Sequence, residues 1–489
     1  MSRWVHADVP AFAVVGRVNM GKSAALATLL EIDDNELIRV SPTPGETTRC
    51  QPHRVVFGGK ECARFIDTPG FSQPVEAMRE IQRIHGGGVP DLTSIRRFVE
   101  TADERFGDEK RLLEPLLEGA GVLYVVDPAK PLRDDFLAEM EILRWTGRPR
   151  LALLNRREGT SGPDDEAWKT RLGAAFNLTR TFDAHHARYE ERLRLFKSLL
   201  EIEERHQEAL RETIRLIEDE WRVRREESAE AVLGFLEEAL VLRVSQNIEE
   251  KDLALRSRRE RSEADLTRKW FAKLASLELA CCERLLRIHR HHLLKADADP
   301  SIYQGIDLER AETWTKWGLS RAQLVAVSSA LGAAAGLVLD AGTAFISHGI
   351  GTAIGAVTGA AAAWFKGGSL PDLRVDLRGG LKLGTGETRT LVIGPPRNPN
   401  FPWVLLDGVL VRYQKVLSRA HGRRDEQTLD GGGAGFSRAF SPEKRNLLGK
   451  WFASCLKGAP NRSLEPEVFE ALVETLDEVA VPAAPELKL

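Results

Sequence analysis

The sequence predicts a doubly wound α/β domain with a mostly parallel sheet, then a mainly α-helical region that carries an apolar helical hairpin and ends in a small α+β tail. Three observations predict this. Short apolar runs at residues 11–15, 63–66, 121–126 and 150–154 alternate with stretches of helical spacing, the pattern of strand–helix units around a parallel sheet. Residues 185–294 hold almost no glycine or proline and are dense in Glu, Arg and Leu. Residues 319–365 form two apolar runs with small residues at helical repeat.

The first strand, Ala11-Phe12-Ala13-Val14-Val15, leads into Gly16-Arg17-Val18-Asn19-Met20-Gly21-Lys22-Ser23, and residues 24–30 then read as a helix. This eight-residue run fits G-x-x-x-x-G-K-[ST], the P-loop, in the strand-to-helix context the motif requires. Its glycines let backbone N–H groups turn toward phosphates at a helix N-terminus. Lys22 supplies a point charge to the β- and γ-phosphates, and Ser23 can ligate Mg²⁺. Gly16, Arg17, Asn19, Met20, Gly21, Lys22, Ser23 and Ala24 are therefore the candidate phosphate-binding residues.

Ser41-Pro42-Thr43-Pro44-Gly45-Glu46-Thr47-Thr48-Arg49 is a turn-rich loop able to bring Thr47 or Thr48 to Mg²⁺, and a strand at 54–57 follows. The strand at 63–66 ends in Asp67-Thr68-Pro69-Gly70. A carboxylate there can hold the metal's water shell, and the Gly70 N–H can reach a γ-phosphate. Residues 121–127 suit a central strand, 133–145 a helix and 150–154 a strand that delivers Asn155-Arg156-Arg157-Glu158. Residues 177–183 read as the last piece of the domain, with Ala184 in the loop facing a base. Ligands of such sheets bind at the strand C-termini.

The segments GRVNMGKS, TTR and DTPG, with their spacing to VLYVVDPAKPLRDD and LLNRRE, resemble the Era/TrmE branch of small GTPases over roughly residues 10–200. The resemblance implies GTP binding and slow hydrolysis to GDP, with Mg²⁺ held by Ser23, Thr48 and Asp67 and catalysis resting on Lys22, Asn19 and Gly70. It also implies two switch loops that follow the nucleotide; a nucleotide-dependent dimer is a further expected partnership. Two departures stand out. The base-reading motif of the branch is N-K-x-D; here Arg156 replaces Lys and Glu158 replaces Asp. Glu158 can still accept from guanine N1 and N2 across one more methylene, so guanine is the expected base, read by Asn155, Arg156 and Glu158. Phe71 stands where other GTPases carry a water-orienting Gln, and it cannot polarise water. Asn19 matches the asparagine that helps seat K⁺ in potassium-activated relatives; its alternative role is to cap the loop.

Between Phe71 and Gly119 the chain is longer than a minimal second switch needs, with Gly86-Gly87-Gly88 and helical character over 92–106. A partner-sensing lid is the preferred reading, surface decoration the other. In the helical middle, Leu193, Phe196 and Leu200 share a helix face, as do Leu210, Ile214, Ile217 and Trp221. Long amphipathic helices in a bundle or stalk are expected. His289, His291 and His292 beside Cys281 and Cys282 lack a fourth ligand at a recognised metal spacing, so a solvated or packed role is preferred.

The apolar runs 322–339 and 341–365 flank Asp340 and carry Gly332, Gly336, Gly351, Gly355 and Gly359. Small residues at this repeat let helix backbones approach closely, as membrane helices do. Trp314, Lys316, Trp317, Trp364 and Lys366 at the edges suit an interfacial belt. Against insertion stand Gln323, Ser328, Ser329, Asp340, Ser347 and His348. Membrane insertion or association is preferred over a soluble hairpin. Beyond residue 371 come a strand at 388–393, a Pro-Asn-rich stretch, a helix at 403–419, a flexible linker at 430–435 and a disordered end from 480. This order is similar to an uncharacterised domain found behind Era-like GTPases.

A chain of 489 residues exceeds one ordinary core. The expected domains are 1–184, the GTPase domain; 185–317, a long-helix bundle or stalk; 318–368, the hairpin; and 369–489, the α+β tail. A net charge of -3 gives no strong nucleic-acid signal. Five cysteines without C-x-x-C spacing and no signal-peptide core at the start point to a cytoplasmic protein, peripheral or integral at the inner face of the cell membrane. The leading expectation is a GTP-hydrolysing switch whose helical arm couples the nucleotide state to a membrane or membrane-protein partner. Its alternatives are a dynamin-like membrane-remodelling GTPase and an Era-like RNA- or ribosome-associated one.

Overall fold

In the computed structural model, residues 3–17, 20–31, 49–155, 164–182, 189–289, 375–383, 386–397, 399, 401–418 and 436–480 are described. The expectations for Asn19, Thr47, Thr48, Arg156, Glu158, Ala184, the hairpin at 319–365 and the linker at 430–435 lie outside the described residues. The chain divides into two units, one built on Met1–Val223 and the other on Arg224–Leu417 and Glu426–Leu489.

The first unit opens with β1 (Ala11–Val15), α1 (Lys22–Leu30), β2 (Gln51–Phe57) and β3 (Lys60–Asp67). Then come α2 (Pro74–His85), α3 (Leu92–Thr101), α4 (Gly107–Glu118) and β4 (Gly121–Val126). The series continues with α5 (Asp134–Trp145), β5 (Arg150–Asn155), α6 (Asp165–Ala175), β6 (Leu178–Phe182) and α7 (Tyr189–Ile202). The strands make one sheet in the order β2-β3-β1-β4-β5-β6. Only β2 and β3 are antiparallel, joined through Gly58 and Gly59 at φ 54 and 80. Phe12 on β1 is in register with Phe65 of β3 and Gly121 of β4, both parallel.

The period-2 rule places alternate residues of β1 in different cores. Ala11, Ala13 and Val15 pack with Phe71, Ile81, Phe98, Leu112, Tyr124 and Trp168 on one face. Phe12 and Val14 pack with Leu26, Phe65, Phe196, Leu210 and Ile217 on the other. The helical face read at Phe196, Leu210, Ile214 and Ile217 is thus buried against this sheet. The helix expected over 92–106 stops at Thr101 and resumes as a 3-10 turn, Glu104–Phe106. Asp103 causes the break, since its side chain accepts from the Arg105 N–H and so competes with the helical ladder.

The second unit begins within α8 (Gln207–Leu240) and continues through β7 (Val244–Glu249), the short α9 (Glu250–Leu253) and α10 (Arg256–Ile288). It is completed by β8 (Val375–Leu383), β9 (Gly386–Ile393), α11 (Phe401–Ser418), α12 (Pro442–Leu456) and α13 (Glu465–Ala480). Residues 185–294, expected to be wholly helical, contain a strand: β7 pairs antiparallel with β9 in a sheet of order β7-β9-β8. Phe235, Trp270, Leu391, Leu410, Trp451 and Leu472 meet in one core, so the helices and the tail share an interior. Trp270 Nε1 donates to the Leu242 carbonyl at 3.0 Å, which closes the turn from α8 into β7. No helix among the described residues is long and apolar enough to cross a membrane.

Candidate functional site

The C-terminal ends of β1, β3 and β5 carry the predicted site. Gly16 leaves β1 at φ 150, and a Cβ there would lie 2.3 Å from the Val125 carbonyl oxygen on β4. Gly21 precedes α1 at φ 95, where a Cβ would fall 2.0 Å from Asn155 Nδ2. Both positions need glycine, for the conformation and for the close approach. Asn155, at the end of β5, donates from Nδ2 to the Met20 carbonyl at 3.1 Å. The candidate base-reading residue therefore also braces the P-loop. Met20 is buried, and its Sδ accepts from the Asp127 N–H at 3.4 Å.

Lys22 Nζ donates to the Gly16 carbonyl at 2.7 Å and the Arg17 carbonyl at 3.4 Å. Burial pushes this ammonium below the usual lysine range, while the charges of Asp67 and Glu139 pull it back. Asp67 is 6% exposed at the end of β3. The structure thus brings the charges of Lys22 and Asp67 into interaction. Next to Asp67, the Thr68 hydroxyl donates to the Val14 carbonyl at 2.8 Å and ties this strand end to β1. Ser23 and Ala24 occupy the first turn of α1, where free N–H groups point at any anion in the loop. Gly70 lies just beyond β3, and Phe71 is buried in the core at 5% exposure.

Sequence reasoning missed a support beneath the loop. Arg17 reaches α5, with its Nη1 3.0 Å from Asp135 Oδ2 and its Nε 2.9 Å from Glu139 Oε1. Tyr124 donates its hydroxyl to Glu139 Oε2 at 2.7 Å. Glu139 is fully buried. The available signal was its spacing: Glu139 lies with Phe136, Met140 and Leu143 on the apolar face of α5, where a carboxylate needs partners. At the other candidate cluster, His289 Nε2 lies 3.2 Å from the Ser228 hydroxyl and its ring stands edge-on to Tyr413. Among the described residues, no group of His, Cys, Asp and Glu is set to hold a metal ion.

The residues present fit a magnesium-bound nucleoside triphosphate: a glycine cradle that a Cβ would fill, a desolvated lysine in it, and a buried carboxylate beside the lysine. Residues 169–476, well over half of the chain, match the family described as a domain of unknown function, DUF3482. The chain belongs to this DUF3482 family. Ahead of that region, residues 11–156 match the family described as 50S ribosome-binding GTPase.

Similar curated proteins include the probable GTP-binding protein EngB of Polaromonas sp., 32% identical over 103 residues, which are 20% of this chain and 41% of that protein. Another is the probable GTP-binding protein EngB of Mycoplasma capricolum, 28% identical over 137 residues, 28% of this chain and 57% of that protein. The chain thus spans about half the length of the curated relatives it matches. Among solved structures, Era in complex with MgGDPNP and nucleotides 1506–1542 of 16S ribosomal RNA is 17% identical, covering 40% of this chain and 57% of that one, with a TM-score of 0.27. A variant of Aquifex aeolicus Era bound to GDP and AlF4⁻ is 19% identical over the same shares, with a TM-score of 0.26.

Proposed function

We propose that this protein binds GTP with Mg²⁺, hydrolyses it to GDP, and uses the change to set the state of its DUF3482 region. One observation carries the reading: Lys22, desolvated and held on the carbonyls of its own loop, stands beside Asp67 over a glycine cradle. In the triphosphate complex Lys22 exchanges these carbonyls for β- and γ-phosphate oxygens, and the Gly21 to Ala24 amides add further donors. Ser23, Thr48 or Thr47, and Asp67 are the residues to hold Mg²⁺, which neutralises phosphate charge when bound. The Gly70 N–H is the donor to the γ-phosphate in this reading. Asn155, with Arg156 and Glu158, reads guanine. Phe71, buried and apolar, leaves the attacking water without a side-chain orienter. We therefore assign to Asn19 the seating of K⁺, with a slow rate in its absence.

Isothermal titration with GTP, GDP and ATP, followed by phosphate release in KCl and in NaCl, tests this. GTP and GDP are expected to bind more tightly than ATP, and turnover to be faster in KCl. Equal rates in the two salts remove the potassium assignment. Absence of affinity for any of the three nucleotides overturns the whole reading.

For the partner, the small-residue repeat and the Trp and Lys edges of residues 319–365 support a membrane or membrane-protein partner at the inner face of the cell membrane. A second reading, ribosome association, is supported by the description of the family matched by residues 11–156. Cell fractionation separates them: loss of membrane pelleting on deleting 319–365 supports the first, and GTP-dependent co-sedimentation with ribosomal subunits the second. Turnover that rises with protein concentration on liposomes marks the dynamin-like alternative.

A further inference from the structure

The segment after Gly70 is held from outside its own strand. Glu109, in the first turn of α4, accepts with one oxygen, Oε1, from both the Ser72 N–H at 2.8 Å and the Gln73 N–H at 2.6 Å. Its neighbour Asp108 accepts the Ser72 hydroxyl at 2.6 Å. Glu109 is completely buried, and its second oxygen has no hydrogen-bond partner among the described residues. A carboxylate removed from water and half satisfied is a costly way to cap α2. The N-cap residue Gln73 makes no side-chain cap bond, so the cap of α2 is borrowed from α4.

Gly70 therefore lies between two anchors. On its N-terminal side Thr68 is fastened to the Val14 carbonyl; on its C-terminal side Ser72 and Gln73 are fastened to Glu109. Phe71, between Gly70 and the second anchor, is sunk into the core formed with α2, α3 and α4. Only Pro69, Gly70 and Phe71 separate the anchors, so the direction of the Gly70 N–H is set by where Glu109 stands.

We propose that Glu109 is a positioning residue for the reaction of the bound triphosphate: it fixes the Gly70 N–H toward the γ-phosphate. Through it, residues 74–118 hold the second switch rather than cover the site as a lid. This rests on the GTPase reading above and adds a role for the insertion. GDP lacks the γ-phosphate, and its binding through the P-loop and Asn155 does not depend on Gly70. The effect of Glu109 is thus confined to GTP and to turnover.

The test compares Glu109→Ala, Glu109→Asp and Glu109→Gln in the full chain, measuring GTP and GDP affinity, kcat and the thermal midpoint. Ala removes the acceptor, Asp withdraws it by one methylene, and Gln keeps a carbonyl oxygen that can accept both N–H groups. Ala and Asp are expected to weaken GTP by about tenfold with GDP within about twofold, and to lower kcat by about tenfold or more. Gln is expected to recover both to within about threefold of wild type. If Ala does not fold, Asp carries the same expectation with the charge retained. A plain helix cap lowers the thermal midpoint and leaves the ratio of GTP to GDP affinity and kcat unchanged; that result, in Ala or Asp, overturns the proposal. Wild-type protein that binds neither nucleotide overturns the GTPase reading and this proposal with it, before any variant is made.

Discussion

Replacing Glu139 with Gln should flatten the dependence of stability on pH. The carboxyl is fully buried between β4 and α5. Burial pushes it up from 4.5 to about 7; the Tyr124 hydroxyl, Arg17 and Lys22 pull it down, and Asp135 adds to the rise. The partners lose because the arrangement is imperfect. Arg17 Nε lies 2.9 Å from Oε1, yet Oε1 receives no aligned hydrogen bond. The folded protein holds this proton more tightly than the unfolded chain does. The contribution is therefore fully present below pH 4.5 and is lost as pH rises through about 7. A rise of that size is worth about 3 kcal/mol. Gln carries no titrating proton, and its carbonyl can still accept from Tyr124. Urea denaturation of wild type and Glu139→Gln from pH 4.5 to 8 should show wild type losing about 3 kcal/mol relative to the variant as pH rises. Taking the difference cancels the other carboxylates. A difference that stays constant across this range would falsify the assignment of a buried, protonated Glu139.

Lys22→Ala should reduce GTP and GDP affinity by more than about a hundredfold, since it removes the one ammonium in the cradle; retained micromolar binding in calorimetry contradicts this. Gly21→Ala should be worse than its size suggests. Its positive φ costs about 1–3 kcal/mol, and its Cβ would displace Asn155, so guanine binding and thermal midpoint should fall together; a folded variant with normal affinity would rule out this loop geometry. The five cysteines are all free and buried, and burial pushes Cys50, Cys282 and Cys455 up to about 12. A thiol reagent at pH 8 should label none of them in minutes in native protein and all of them in denaturant; rapid native labelling would show an exposed thiolate.

How much of this was legible in the sequence depended on how local each feature is. β1 and the P-loop could be read from adjacent residues, because an apolar run, two glycines and a lysine at fixed spacing carry their own physics. The strand β7 could not. It lies between two long helices, its alternation is weakened by Gln246 at an inward position, and its partner, β9, begins at Gly386. The amphipathic face of Leu210, Ile214 and Ile217 was visible, whereas its docking on the N-terminal sheet was not, because periodicity shows that a face is buried without showing against what. The buried Glu109 and Glu139 were hidden for another reason. Charges on amphipathic helices are usually solvated, so a Glu is not read as buried from composition alone, although each of these falls on the apolar stripe of its helix: Glu109 with Leu112, Leu113 and Leu116, and Glu139 with Phe136 and Met140.

The pairing of β7 with β9 also imposes an order on synthesis. Val244 waits for Ile393 and Glu249 for Thr388, a delay on the order of ten seconds at ordinary translation speeds. During that interval Phe235 and Trp270 have helices to sit on but no sheet to cover them, and the edge of β7 is open to any other strand. Nascent chains and fragments that stop before residue 386 are therefore the forms in which this polypeptide is most prone to aggregate, and the natural clients of a chaperone.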